Sequence, residues 1–79
     1  MKKPFRIETI HAFIAPDPTN GDEGVVAWMT PTDRMWMPLI AADPARLKDL
    51  RPLAEEVARI TGRKIKLVRF ETRVEVEEL

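Results

Sequence analysis

His11 is the one histidine of the chain, and an imidazole is the side chain best suited to moving protons or binding a transition metal near neutral pH. It stands inside the apolar run IHAFI, in a chain with no cysteine and no second histidine to complete a metal set. A hydrogen-bonded structural histidine is therefore the expectation. Asp17, Asp22 and Glu23 supply oxygen ligands suited to a hard cation. Their spacing does not follow the D-x-[DN]-x-[DN]-G loop, and Pro16 and Pro18 stiffen the segment, so a solvated loop is expected. The chain has no serine, which removes Ser-His-Asp chemistry. Gly21, Gly24 and Gly62 are not spaced to cradle a phosphate. No catalytic, cofactor-binding or metal-binding residue emerges, and the chain is expected not to be an enzyme.

Two groups of residues are suited to binding instead. Trp28, Met29, Met35, Trp36 and Met37 crowd around one turn. Aromatic side chains dominate interface energetics, and methionine adapts to irregular surfaces. A domain this small has difficulty burying two tryptophans on one face, which makes Trp28, Met35, Trp36 and Met37 candidate protein-contact residues. The second group is basic. Residues 1–45 hold four basic and six acidic groups, a net of −2, whereas residues 46–76 hold nine basic and five acidic, a net of +4. Within that half, Arg59, Arg63, Lys64, Lys66, Arg69 and Arg73 lie close in sequence. Arg59 and Arg63 are placed on one helix face by their i, i+4 spacing, and the patch is a candidate for nucleic-acid phosphates. Against it stand Glu71 and Glu75, which dilute the charge, and Phe70, which points to the opposite strand face.

The elements that must position these groups follow from periodicity. Residues 5–15 read as a strand, FRIETIHAFIA, with Phe5, Ile7, Thr9, His11 and Phe13 on one face. Asn20-Gly21 marks a loop over 16–24 and favours positive φ at consecutive positions. A second strand follows over 24–30, then a PTDR turn, then a third strand over 35–40 in which Pro38 lacks a ladder donor. Asp43-Pro44 starts a helix whose apolar stripe runs through Leu47, Leu50, Leu53, Ala54, Val57, Ala58 and Ile60. Thr61-Gly62 stops it. Pro52 interrupts the pattern, and two short helices meeting near Leu50 are expected in preference to one kinked helix. The last strand covers 64–76, with a change of parity between Leu67 and Val68 that predicts a bulge. The expected fold is thus α+β, a single domain over 1–79. One four-stranded sheet in β-β-β-α-β order is predicted, with strands side by side as third, second, first, last. The last strand is placed parallel to the first.

The stretches IETIHAFIA, GDEGVVAW, WMPLIAAD and LRPLAEEVARITGRKIKLVRF resemble a set of small bacterial and phage-associated proteins of uncharacterised function. The resemblance spans nearly the whole chain. It implies a mobile-element or phage-related accessory protein, and it carries over no catalytic residue.

Composition sets the remaining bounds. The chain has 79 residues, 44% hydrophobic and 33% charged, with thirteen basic groups against thirteen acidic. That is a folded composition with no overall pull toward nucleic acid or membrane. Arg6, Glu8 and His11 break the N-terminal apolar residues, so no signal-peptide core or membrane span is expected, and the default compartment is the cytoplasm. Without disulfides, a domain of this size often leans on a partner. The expected role is a non-enzymatic protein-interaction module, with a partner protein or a second copy as its ligand. A small nucleic-acid-binding accessory is the alternative.

Overall fold

The structure is a computed structural model and describes residues 6–78. The expected start of the first strand at Phe5 lies outside the described residues; residues 6–9 join no strand, and the strand begins at Ile10 and includes Pro16. The architecture is α+β, and it hangs on one strand, β1 (Ile10–Pro16), whose β-branched and aromatic side chains suit a pleated surface. Along one edge β1 pairs with β6 (Lys66–Phe70), from Ile10↔Phe70 to Ile14↔Lys66. Its other edge is shared. β2 (Glu23–Val25) takes the C-terminal half, with Ile14↔Val25 and Pro16↔Glu23. β5 (Ile40–Ala41) takes the N-terminal half, with His11↔Ala41 and Ala12↔Ile40. Between those two short strands the chain leaves the sheet. It forms a separate two-stranded hairpin of β3 (Ala27–Met29) and β4 (Trp36–Pro38), closed by Thr30–Met35.

The point of departure is a ring of three backbone hydrogen bonds. The Val26 N–H donates to the Phe13 carbonyl (2.8 Å), the Leu39 N–H to the Val26 carbonyl (2.9 Å) and the Phe13 N–H to the Leu39 carbonyl (3.1 Å). All three side chains are buried there. The backbone groups that a broken ladder would leave unpaired are thereby satisfied in the core.

This junction corrects the expected single sheet. The segments 24–30 and 35–40 each break, at Val26 and at Leu39, and the sheet is a four-stranded one plus a separate two-stranded one. It also corrects the direction of the last strand. β5 runs antiparallel to β1 because the hairpin turns the chain before it rejoins the sheet. The helical crossover carries that direction across to β6, which therefore lies beside β1 as expected but antiparallel to it. No bulge occurs at Leu67–Val68, since β6 pairs residue for residue with β1, and the strand ends at Phe70 rather than at 76.

One continuous helix, α1 (Pro44–Thr61), fills the crossover. Asp43 caps it by accepting the Arg46 N–H at 2.7 Å, and Gly62 closes it with φ 70° and its N–H on the Ala58 carbonyl. Pro52 sits inside this helix without dividing it, contrary to the two-helix expectation. Leu50 and Ala54, on either side of it, are buried in the core, whereas Pro52 is exposed. Packing on both flanking turns outweighs one missing hydrogen bond, whose orphaned acceptor belongs to Lys48 at an exposed position. Ile60, counted in the apolar stripe, is exposed.

The core lies between α1 and one face of β1, where Phe13 and Ala15 meet Val26, Leu39, Ala41, Leu50 and Ala54. By the alternation of strand side chains, Ile10, Ala12 and Ile14 face away from the helix. Register adds Val25, Ile40, Val68 and Phe70 to that second, largely apolar face.

Candidate functional site

The hairpin arm divides the aromatic and methionine cluster in two. Its register is Ala27↔Pro38, Trp28↔Met37 and Met29↔Trp36, so Trp28 and Met37 share one face and Met29 and Trp36 the other. Trp28 and Met37 are half-buried against the core, together with Leu47 and Leu53. The Arg46 guanidinium lies 3.1 Å from the Met37 sulfur. Trp36 is 65% exposed and Met35 is 62% exposed, with Met29 exposed beside them. The side chains available at this surface are therefore Met29, Met35 and Trp36, while Trp28 and Met37 anchor the arm to the domain.

The turn holding the arm is fastened by one carboxylate. Thr30 and Met35 pair through backbone (Thr30 N–H to the Met35 carbonyl, 2.9 Å), and the Arg34 N–H returns to the Thr30 carbonyl at 2.9 Å. Arg34 takes φ 55°, the left-handed conformation. Asp33 accepts the Thr30 hydroxyl and the Met35 N–H. Those two donors, the hydroxyl first, hold its carboxyl below the ordinary carboxylate value.

Between the arm and the C-terminal end of α1 lies a groove of about 380 Å³, lined by Ala27, Trp28, Met29 and Trp36 on one side and Val57, Thr61 and Arg63 on the other. It adjoins a second depression of about 280 Å³ that reaches Asp17 of the first loop and Gly24 of β2. Arg63 ties these parts together, donating from Nη2 to the Pro16 carbonyl at 2.7 Å. Its Nε is buried and meets no acceptor among the described residues.

The six basic residues are not gathered into one patch. Gly62 turns the chain out of the helix, so Arg63 does not share a helix face with Arg59 and the expected i, i+4 pairing does not form. Lys66 points to the face of Val68 and Phe70, and Arg69 to the opposite face with Leu67. Arg59 is ion-paired with Glu56, which lowers the Glu56 pKa and raises that of Arg59. Arg69 pairs with Glu71 at 2.8 Å and Arg73 with Glu75 at 3.0 Å. Lys64 and Lys66 are exposed.

His11 is half-buried on β1, opposite Ala41 and Arg69. In the first loop Asp17 accepts the Thr19 N–H and Asn20 accepts the Asp22 N–H. Gly21 there takes φ 80°, while Asn20 keeps a negative φ, so the expected pair of positive angles is a single one. Among the described residues no three His, Cys, Asp or Glu side chains are grouped as metal ligands. No described helix is long and apolar enough to cross a membrane. The chain matches no family model, no curated protein and no solved structure.

The arm's crowding of tryptophan and methionine was legible in sequence. The Asp33 latch and the Arg63 contact with Pro16 were not, although Asp33 within PTDR carries the turn-forming side chain that a latch needs.

Proposed function

We propose that this chain is a non-enzymatic protein-interaction module of the cytoplasm, engaging a partner protein through Trp36, Met29 and Met35 on the hairpin arm. The observation that carries this reading is the 65% exposure of Trp36 on a hairpin that leaves the sheet and is anchored by its opposite face. A solvated tryptophan on a hydrogen-bonded hairpin, flanked by methionines, buries a large apolar area on binding. A place among small phage-associated accessory proteins belongs to the same proposal and rests on the sequence stretches alone. Trp36→Ala is expected to abolish recovery of the partner from the native host while leaving the circular dichroism and thermal midpoint near those of the unmodified chain. Retention of the same partner by Trp36→Ala would remove the arm from the interface.

Nucleic-acid binding through Arg59, Arg63, Lys64, Lys66, Arg69 and Arg73 has less support. Four of the six already hold carboxylate or carbonyl partners, and they point to different faces. Phosphate contacts would declare themselves as binding that falls steeply between low and high salt.

A further inference from the structure

The outer edge of β6 is unpaired among the described residues. Beyond it residues 71–78 are exposed and join no strand, with Val74 73% and Val76 92% exposed. The ion pairs Arg69–Glu71 and Arg73–Glu75 each join side chains two residues apart, which is the spacing of one face of an extended chain. From Lys66 to Glu78 the segment reads KLVRFETRVEVEE. Set antiparallel against itself about Thr72, Arg69 faces Glu75 and Glu71 faces Arg73 on one face, with Leu67 opposite Glu77. On the other face Lys66 faces Glu78, Val68 meets Val76 and Phe70 meets Val74. We infer that residues 66–78 pair antiparallel with the same segment of a second copy of this chain, across a two-fold axis at Thr72.

Neighbouring registers are worse. An axis at Glu71 sets Arg69 against Arg73 and Glu71 against itself. An axis at Arg73 sets Glu71 against Glu75. An axis at Phe70 keeps only the Arg69–Glu71 charge pair and leaves Lys66 facing Val74, and one at Val74 sets Glu71 against Glu77. Like charges directly opposed across strands are destabilising, and opposite charges stabilise the pair.

Hydrogen-bond parity allows the axis. The N–H and C=O of Phe13 point away from β6, toward Leu39 and Val26. In an antiparallel ladder the alternate residues Ile10, Ala12 and Ile14 then bond to Phe70, Val68 and Lys66. Leu67 and Arg69 consequently turn their N–H and C=O to the free edge. An axis on a residue matches odd positions with odd ones, as hydrogen-bonded pairs require, whereas an axis between residues does not. A regular two-fold pair is a closed, self-complementary interface, and it covers an edge that is otherwise open to uncontrolled pairing.

The test uses the full chain in sedimentation equilibrium over a concentration series. A monomer–dimer equilibrium is expected. Arg69→Glu and Glu75→Arg are each expected to weaken it about tenfold or more, because each places like charges opposite one another twice. An equimolar mixture of the two variants is expected to recover the association, since each supplies the charge the other lacks, and misfolded variants could not do so. The chain has no cysteine, so Thr72→Cys is expected to form a disulfide-linked dimer readily, while Val76→Cys, which faces Val68, does not. A monomer at every concentration, a dimer indifferent to Arg69→Glu, or a mixture that stays monomeric would overturn the inference. Trp36→Ala is expected to leave this association unchanged, so loss of the dimer in that variant would assign self-association to the arm instead.

Discussion

Leu39 is fully buried, and its backbone both donates and accepts in the ring that joins β1 to the hairpin arm. Shortening it to alanine removes apolar contacts and leaves a void that three hydrogen-bonded strands cannot collapse to fill. Leu39→Ala is expected to cost about 2–5 kcal/mol in urea unfolding, a large part of what a domain of this size has to lose. A cost below about 1 kcal/mol would mean that the junction repacks. Asp33 makes a different kind of prediction. Its carboxyl is held below the ordinary value by the Thr30 hydroxyl and the Met35 N–H, so the folded arm favours the ionised form. A depressed folded-state pKa gives a contribution that is present in full above the unfolded value of about 3.9 and fades as the pH falls toward the folded one. Acid titration should therefore loosen the Thr30 and Met35 amides below about pH 4, read by their chemical shifts. Asp33→Asn should remove that acid-dependent step, and an unchanged step in the variant would place its origin elsewhere.

At the scale of elements, α1 keeps Pro52 because Leu50 and Ala54 are buried on either side of it. Since Pro52 is exposed, Pro52→Ala restores a donor for the Lys48 carbonyl and loses no core contact. It is expected to raise stability by about 1–3 kcal/mol, seen as a higher urea midpoint, and a destabilised variant would show that the proline supports the helix path. The same helix separates what sequence reveals from what it hides. Asp43 and Gly62 act within one turn, through a cap hydrogen bond and a left-handed φ, and both were legible. The survival of the helix through Pro52 depends on packing against β5 and the arm, which no local rule contains. The strand break is likewise non-local. Gly24–Thr30 reads as one strand, and only the simultaneous arrival of Phe13 and Leu39 at Val26 divides it. For the candidate site, composition located the arm. The choice of Trp36 over Trp28 as the exposed ring follows from the Met29↔Trp36 register and the Asp33 turn. The basic residues looked contiguous because they are close in sequence, until Gly62 and strand alternation sent them to different faces.

The whole molecule is drawn out, with principal extents of 46 × 29 × 23 Å and a radius of gyration of 14.7 Å. A compact chain of this length would have a radius of gyration of about 11.6 Å. Its surfaces serve different ends: the arm carries Trp36, and the C-terminal segment carries the self-complementary charges. Amide exchange distinguishes them in one measurement. The N–H groups of Phe13, Val26 and Leu39 lie in the buried ring, and they should exchange most slowly, near the rate set by global unfolding, at any protein concentration. Val68 and Phe70 bond inward to β1 and should also be indifferent to concentration. In the inferred dimer Arg69, Glu71, Arg73 and Glu75 would direct their N–H groups to the second copy, so their protection should rise as the protein is concentrated. Thr72 and Val74 lie between them with the opposite parity and should stay fast throughout. This odd-over-even pattern arises from a strand adding to the edge, since an apolar contact on one face would shield neighbouring amides alike. Uniform protection across 69–75 would point to packing on the Phe70 face. An absence of concentration dependence would leave β6 as a free edge.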